Sequence, residues 1–240
     1  FHLKRALTLL AILVFWGCQG NHYQWYSGTF EEAKASAGSK LILLKFYTDT
    51  WPSCIQLDVE TLRNQEVQEF SKLNFISLKY NAREEIGNQY FKQYNCQGVP
   101  HLLFVDSEGN EVDRIIGFLP PTEYLMRIED IAREKNTLDD YLTRYERGDV
   151  SEDIIAGIAM KYEDRSENDK AAEFYSLLIK HYTDSSSEHI SHGKYFLSKN
   201  NFSLYQNLNN VEFFIFCYRV WRKNNYPNMC GVLDAWLVGI

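Results

Sequence analysis

The chain has 240 residues, 45% of them hydrophobic, enough to bury one large core or two modest ones and too many for a disordered chain. Its 25 basic against 32 acidic residues give a net charge of −7, and no run of Lys and Arg forms the clustered positive face that nucleic acid requires. The five cysteines, at 18, 54, 96, 217 and 230, contain no C-x-x-C pair and the six histidines do not cluster beside them, so neither a disulfide scaffold nor a metal site is expected, and no cofactor.

With Phe1 first, the natural chain is expected to begin upstream. His2, Lys4 and Arg5 precede an apolar run from Ala6 to Trp16 that ends in Gly17-Cys18. A basic start and an apolar run of this length describe a secretory signal, since a membrane span needs nearly twice as many residues. Gly17-Cys18 resembles a bacterial lipobox, in which the Cys is lipid-modified and becomes the first mature residue. Residues 1–18 are therefore read as a lipoprotein-type signal with Cys18 as the lipidation site. That reading places the protein in a bacterial envelope, facing the periplasm and held at the membrane by its lipid. An uncleaved anchor, or a buried helix with an incidental Cys, is the alternative. Residues 19–28 are polar and aromatic without a period and read as a tether.

Thr29-Phe30-Glu31-Glu32 has the acid three positions on that makes a capping box, opening a helix that stops at Gly38. Leu41 to Tyr47 is apolar except for Lys45, the pattern of a strand buried on both faces. Cys54 to Lys72 reads as one helix with a possible kink, Phe75 to Tyr80 as a strand, and Glu84 to Tyr94 as a helix. His101 to Val105 and Val112 to Phe118 read as strands joined by the turn signal Ser107-Glu108-Gly109-Asn110. Pro120-Pro121-Thr122 opens a closing helix to about Lys135. This order predicts an α/β fold, a mixed central sheet flanked by helices, over residues 29–136. From 137 to 240 the pattern is helical: Asp139 to Arg147, Glu152 to Glu163, Asn168 to Tyr182 and Glu188 to Ser198, with an aromatic cluster from Phe213 to Trp221 and no readable structure from Asn224 on.

The segment from Lys45 to Cys54, KFYTDTWPSC, resembles the strand and active-site turn of thioredoxins. Gly98-Val99-Pro100 matches that family's cis-proline loop, and Gly117-Phe118 ends the fourth strand as the family does. Cys54-Ile55-Gln56-Leu57-Asp58, Glu60-Thr61-Leu62 and Glu66-Val67 look most like DsbD-type thioredoxin-like domains. The resemblance covers roughly 29–134 and implies a thioredoxin-like fold, kinship with thiol-disulfide oxidoreductases, and a cis Val99-Pro100 loop that pairs with an extended peptide.

The departures bear on activity. Cys54 occupies the second, resolving position of the family motif, and Trp51 stands where the nucleophilic first Cys belongs. Lys45 fills the position that often carries a buried acid. Without a second thiol, exchange stops at the mixed disulfide. Cys54 is expected to be buried and unassisted, with Trp51 over the helix end, and Cys96 to be core filler rather than a redox partner. His101 is read as structural, with titration near the site as the alternative.

Ile158, Ala159, Tyr162, Ala171 and Tyr175 fit a tetratricopeptide-like register, with a plain helical extension as the equal alternative. Two functions follow. The first is an envelope thioredoxin-like protein whose dithiol activity is lost or reduced to single-cysteine chemistry at Cys54. The second is a non-catalytic module in which the face from Trp51 through Pro52 and Ser53 to Cys54, with the Val99-Pro100 loop, holds an extended peptide or envelope protein and the C-terminal helices dock a partner.

Overall fold

The computed structural model describes residues 22–182 and 187–200, and the chain divides into two compact units between Thr137 and Leu138. The signal segment with Cys18, the break at 183–185, the aromatic cluster from Phe213 to Trp221 and the tail beyond it lie outside the described residues. No described helix is long and apolar enough to cross a membrane.

In chain order the first unit runs α1 (Phe30–Ser36), β1 (Leu41–Tyr47), α2 (Pro52–Gln56), α3 (Gln65–Asn74), β2 (Phe75–Asn81), α4 (Glu85–Gln93), β3 (His101–Val105), β4 (Glu111–Ile116) and α5 (Pro121–Ala132). The sheet order is β2-β1-β3-β4, with β1 parallel to β2 and the other two pairings antiparallel. This is a mixed four-stranded sheet with helices on both faces, a thioredoxin-like arrangement. Strand alternation sends Ile42, Leu44 and Phe46 into one core with Phe30, Ala33 and Cys96, and Leu43 into the other with Leu57, Val67, Tyr124 and Ile128. Two apolar layers therefore grip β1, which is why its sequence is nearly continuous in apolar residues.

Thr29 caps α1 through the expected capping box: its hydroxyl accepts from Glu32 N, and Glu32 Oε2 accepts from Thr29 N at 2.7 Å. The single helix expected over Cys54 to Lys72 is broken. After α2 the backbone widens into one π turn, Leu57–Thr61, closed by Leu62 N donating to Leu57 O at 2.9 Å. The widening buries Leu57, Thr61 and Leu62 together, and the Thr61 hydroxyl donates to Leu119 O. Asn64 then starts α3 afresh, its side chain accepting from Val67 N at 3.1 Å.

β4 ends at Ile116 rather than Phe118, because Gly117 takes φ +87° and turns the chain out of the sheet. At Gly87 a Cβ would lie 2.0 Å from Asn81 O, so α4 approaches the end of β2 as closely as only glycine permits. Residues 22–28 depart from a free tether. Tyr26 N donates to Ser77 O at 2.7 Å, the Tyr23 hydroxyl meets Ser77 Oγ at 3.0 Å, and Tyr23 and Trp25 pack on the Leu43 face. Two of the three aromatic residues in this stretch, Tyr23 and Trp25, supply the apolar area that holds the strap down.

The second unit contains α6 (Leu138–Glu146), α7 (Glu152–Asp164), α8 (Asn168–His181) and α9 (Glu188–Asn200). Ile158, Ala159, Tyr162, Ala171 and Tyr175 are all buried in its core. Close approach depends on small residues: a Cβ on Gly157 would strike the Tyr141 ring, and one on Gly193 the Tyr175 ring. One polar cluster ties three helices. Glu163 accepts from the Tyr175 hydroxyl at 2.6 Å and meets His192 Nε2 at 2.7 Å. Burial pushes the Glu163 carboxyl up, but His192 and Tyr175 outweigh it and hold it below its ordinary value. The hydrogen bond to Glu163 raises the His192 imidazole in turn. Replacing Glu163→Ala is expected to cost about 2 kcal/mol, because a buried hydroxyl loses its acceptor. Urea unfolding followed on α8 amides checks this, and the His192 titration should fall back toward its ordinary range in the same variant.

Candidate functional site

The turn from β1 into α2 sets the site. Trp51 is the N-cap of α2, in extended conformation with no side-chain cap, and Pro52 takes the first helical position, which suits its fixed φ and missing N–H. Trp51 N donates to Thr48 O at 3.4 Å, and Cys54 N donates to Trp51 O at 3.0 Å. This tight turn throws Trp51 outward and draws Cys54 inward. Trp51 is 52% exposed and Cys54 is 1% exposed. The outer position of the turn is therefore open and holds an indole. The only thiol of the segment is buried.

Burial pushes the Cys54 thiol up; a hydrogen bond with the Thr48 backbone and the nearby Lys45 ammonium act the other way without overcoming it. Cys54 and Cys96 are both free and buried. Cys96 packs with Phe30 and Phe46 on one side of the sheet, while α2 continues into Leu57 on the other. Burial also pushes Cys96 up to about 12, the behaviour of an inert core thiol.

The Val99–Pro100 peptide is cis, and Pro100 O accepts from Gly117 N at 2.9 Å. Pro100 is buried and Val99 half-buried. Neither the N–H nor the C=O of Val99 has a hydrogen-bond partner among the described residues. His101 is fully buried on β3 beside Phe46, its ring edge-on to Phe91 with centroids 6.3 Å apart. Nδ1 lies 3.4 Å from Gln97 O, and Nε2 has no partner among the described residues. Burial, with the Arg114 charge adding to it, lowers the imidazole to about 4, so His101 is neutral at physiological pH and serves packing rather than proton transfer.

Lys45 is 1% exposed and pairs with Asp58, whose side chain is 48% exposed. Its ammonium also lies 5.6 Å from the Trp25 ring centroid and 5.5 Å from that of Tyr47. Burial lowers the lysine; the hydrogen bond and charge of Asp58 partly restore it. The carboxylate that pairs with the strand lysine is thus supplied by the π turn. Asp58, Trp25 and Lys79 were not identified from the sequence. The available signal was Lys45 itself, since a lysine inside a strand buried on both faces requires a carboxylate nearby.

A family model for the thioredoxin-like domain matches residues 29–132. Among curated relatives, the chain is 28% identical over 109 residues to the chloroplastic thioredoxin-like protein HCF164 of Arabidopsis thaliana, which covers 45% of this chain and 40% of that one. It is 24% identical over 107 residues to the thiol:disulfide interchange protein DsbD of Tatumella citrea, covering 43% of this chain and 18% of that one. The chain thus spans less than half the length of these relatives. A solved putative disulphide-isomerase from Bacteroides thetaiotaomicron aligns over 48% of this chain and 96% of its own, at 24% identity and a TM-score of 0.43. With element order, sheet and family match in agreement, residues 29–132 form a thioredoxin-like domain, related to thiol-disulfide oxidoreductases.

Proposed function

We propose that this domain has lost dithiol exchange and keeps the peptide-holding face of a thioredoxin. One observation carries the reading: at the turn where a redox thioredoxin exposes a thiolate, Trp51 is 52% exposed and the one cysteine is 1% exposed. A thiol that is both buried and raised in pKa is a poor nucleophile, and among the described residues the other cysteine, Cys96, packs in the opposite core and is not placed to resolve a mixed disulfide. The bare N–H and C=O of Val99, beside the Trp51 indole's turn in the family's arrangement, suit an extended peptide that adds its backbone there. The helical unit, read as tetratricopeptide-like, offers a second docking surface for a protein partner. The setting we propose is the bacterial envelope, facing the periplasm, with a lipid at Cys18. The N-terminal signal pattern and the DsbD relatives support it.

The test uses reduced, carboxymethylated insulin B chain as an extended probe. At millimolar peptide it should shift the Val99 amide and Trp51 indole resonances, equally in wild type and Cys54→Ser, while native Cys54 resists iodoacetamide. Rapid native alkylation, or binding lost in Cys54→Ser, would return the site to single-cysteine chemistry. Shifts confined to other residues would remove the peptide face.

A further inference from the structure

A cavity of about 280 Å3 opens on the sheet face that carries Lys45, and neither Trp51, Cys54 nor Pro100 lines it. Its charged walls are Lys45, Lys79 and Arg63 against one carboxylate, Asp58; its flat walls include Trp25 and Tyr47. The crowding of cations is built into the sheet. Lys45 and Lys79 are direct register partners across the parallel β1–β2 pair, so their backbones lie about 4.8 Å apart. Both ammonium groups stand over the same two rings, at 5.5 to 5.6 Å for Lys45 and 5.7 to 5.9 Å for Lys79.

Asp58 bonds to Lys45, and no ion pair reaches Lys79 among the described residues. Burial and the neighbouring Lys79 charge both lower the Lys45 ammonium. In a chain of net charge −7, Lys79 thus presents to this concavity an ammonium that no carboxylate among the described residues meets. Concave, partly apolar walls focus such a field and favour a small anion. The volume sits just below the range of about 300 to 1,000 Å3 usual for organic ligands, which limits the occupant to about one ring.

We propose that this cavity binds a small aromatic carboxylate, its anion on the Lys79 side and its ring against Trp25. The site does not include Trp51, Cys54, Val99 or Pro100; it borders the thiol through Lys45 and Asp58, and the Lys79 side that takes the anion lies outside both the thiol and the peptide readings.

Benzoate, 4-hydroxybenzoate and nicotinate, titrated into the full chain, should each give a saturable shift of the Trp25 indole resonance. The neutral 4-hydroxybenzyl alcohol and ring-free acetate should bind at least about tenfold more weakly. Lys79 is exposed, so Lys79→Gln should fold normally and weaken the carboxylates about tenfold, while Cys54→Ser leaves them unchanged. No saturable shift at Trp25 up to about 10 mM of any carboxylate overturns the proposal, as does equal binding of the alcohol or indifference to Lys79→Gln.

Discussion

Trp51→Cys should turn this domain into an insulin reductase, at about tenfold or more above the dithiothreitol blank, where wild type is expected to stay at the blank. The geometry for exchange is otherwise in place. Residues three apart in a first helical turn hold their Cβ atoms about 5 to 6 Å apart, and a small rotation brings two such thiols into bonding range. The new thiol would sit where the indole is 52% exposed, so substrate reaches it. Its thiolate attacks an insulin disulfide and expels one insulin thiol. Cys54 then attacks the mixed disulfide, releasing the second insulin thiol and closing a disulfide to its new neighbour. Dithiothreitol reduces that disulfide and completes the cycle.

Lys45 should stay as it is in this experiment. Restoring an acid by Lys45→Asp would set a second carboxylate, itself buried, against the half-exposed Asp58, and the like charge makes its ionisation costly. Lys45→Asp with Asp58→Asn is the informative combination. Cys54→Ser in the Trp51→Cys background should return the rate to the blank. A wild-type rate well above the blank, itself abolished by Cys54→Ser, would contradict the proposed loss of exchange.

How legible this was from sequence depends on whether the cause was local. The capping box at Thr29 and Glu32, the strand Leu41 to Tyr47 and the strand His101 to Val105 are fixed by spacing and composition within a few residues, and each appears in the structure. The break in the helix after Cys54 was not legible in place. It depends on Leu57, Thr61 and Leu62 all needing the core, and on the Leu119 carbonyl 58 residues away. The strap 22–28 was misread as a tether because its period is absent: two aromatics dock on Ser77 and the Leu43 core, contacts no local pattern encodes. The same holds for the Lys45 environment. Lys45 was visible as an anomaly, but its partners come from three separated stretches, Trp25, Asp58 and Lys79, which only the folded sheet brings together.

His101 should make the thioredoxin-like domain acid-sensitive by about 3 kcal/mol between pH 6.5 and pH 4. The imidazole is fully buried on β3, with Phe91 at its side and no partner on Nε2 among the described residues, so a charge there has lost its water and gained only the long contact of Nδ1 with Gln97 O. Burial, reinforced by Arg114, lowers its pKa from 6.5 to about 4. In that window the unfolded chain binds a proton that the folded domain refuses. Stability therefore rises with pH across the window: full above 6.5, lost progressively on acidification, and wholly lost below about 4. The difference between wild type and His101→Leu isolates this contribution, because the other carboxylates and histidines titrate alike in both. Hydrogen exchange of β1 and β3 amides reports the sheet without the helical unit. His101→Leu should lose about 3 kcal/mol less than wild type on going from pH 6.5 to pH 4. Parallel pH profiles would mean that the imidazole takes its proton inside the fold, restoring a protonatable group one residue from Pro100 and with it a catalytic reading of the loop.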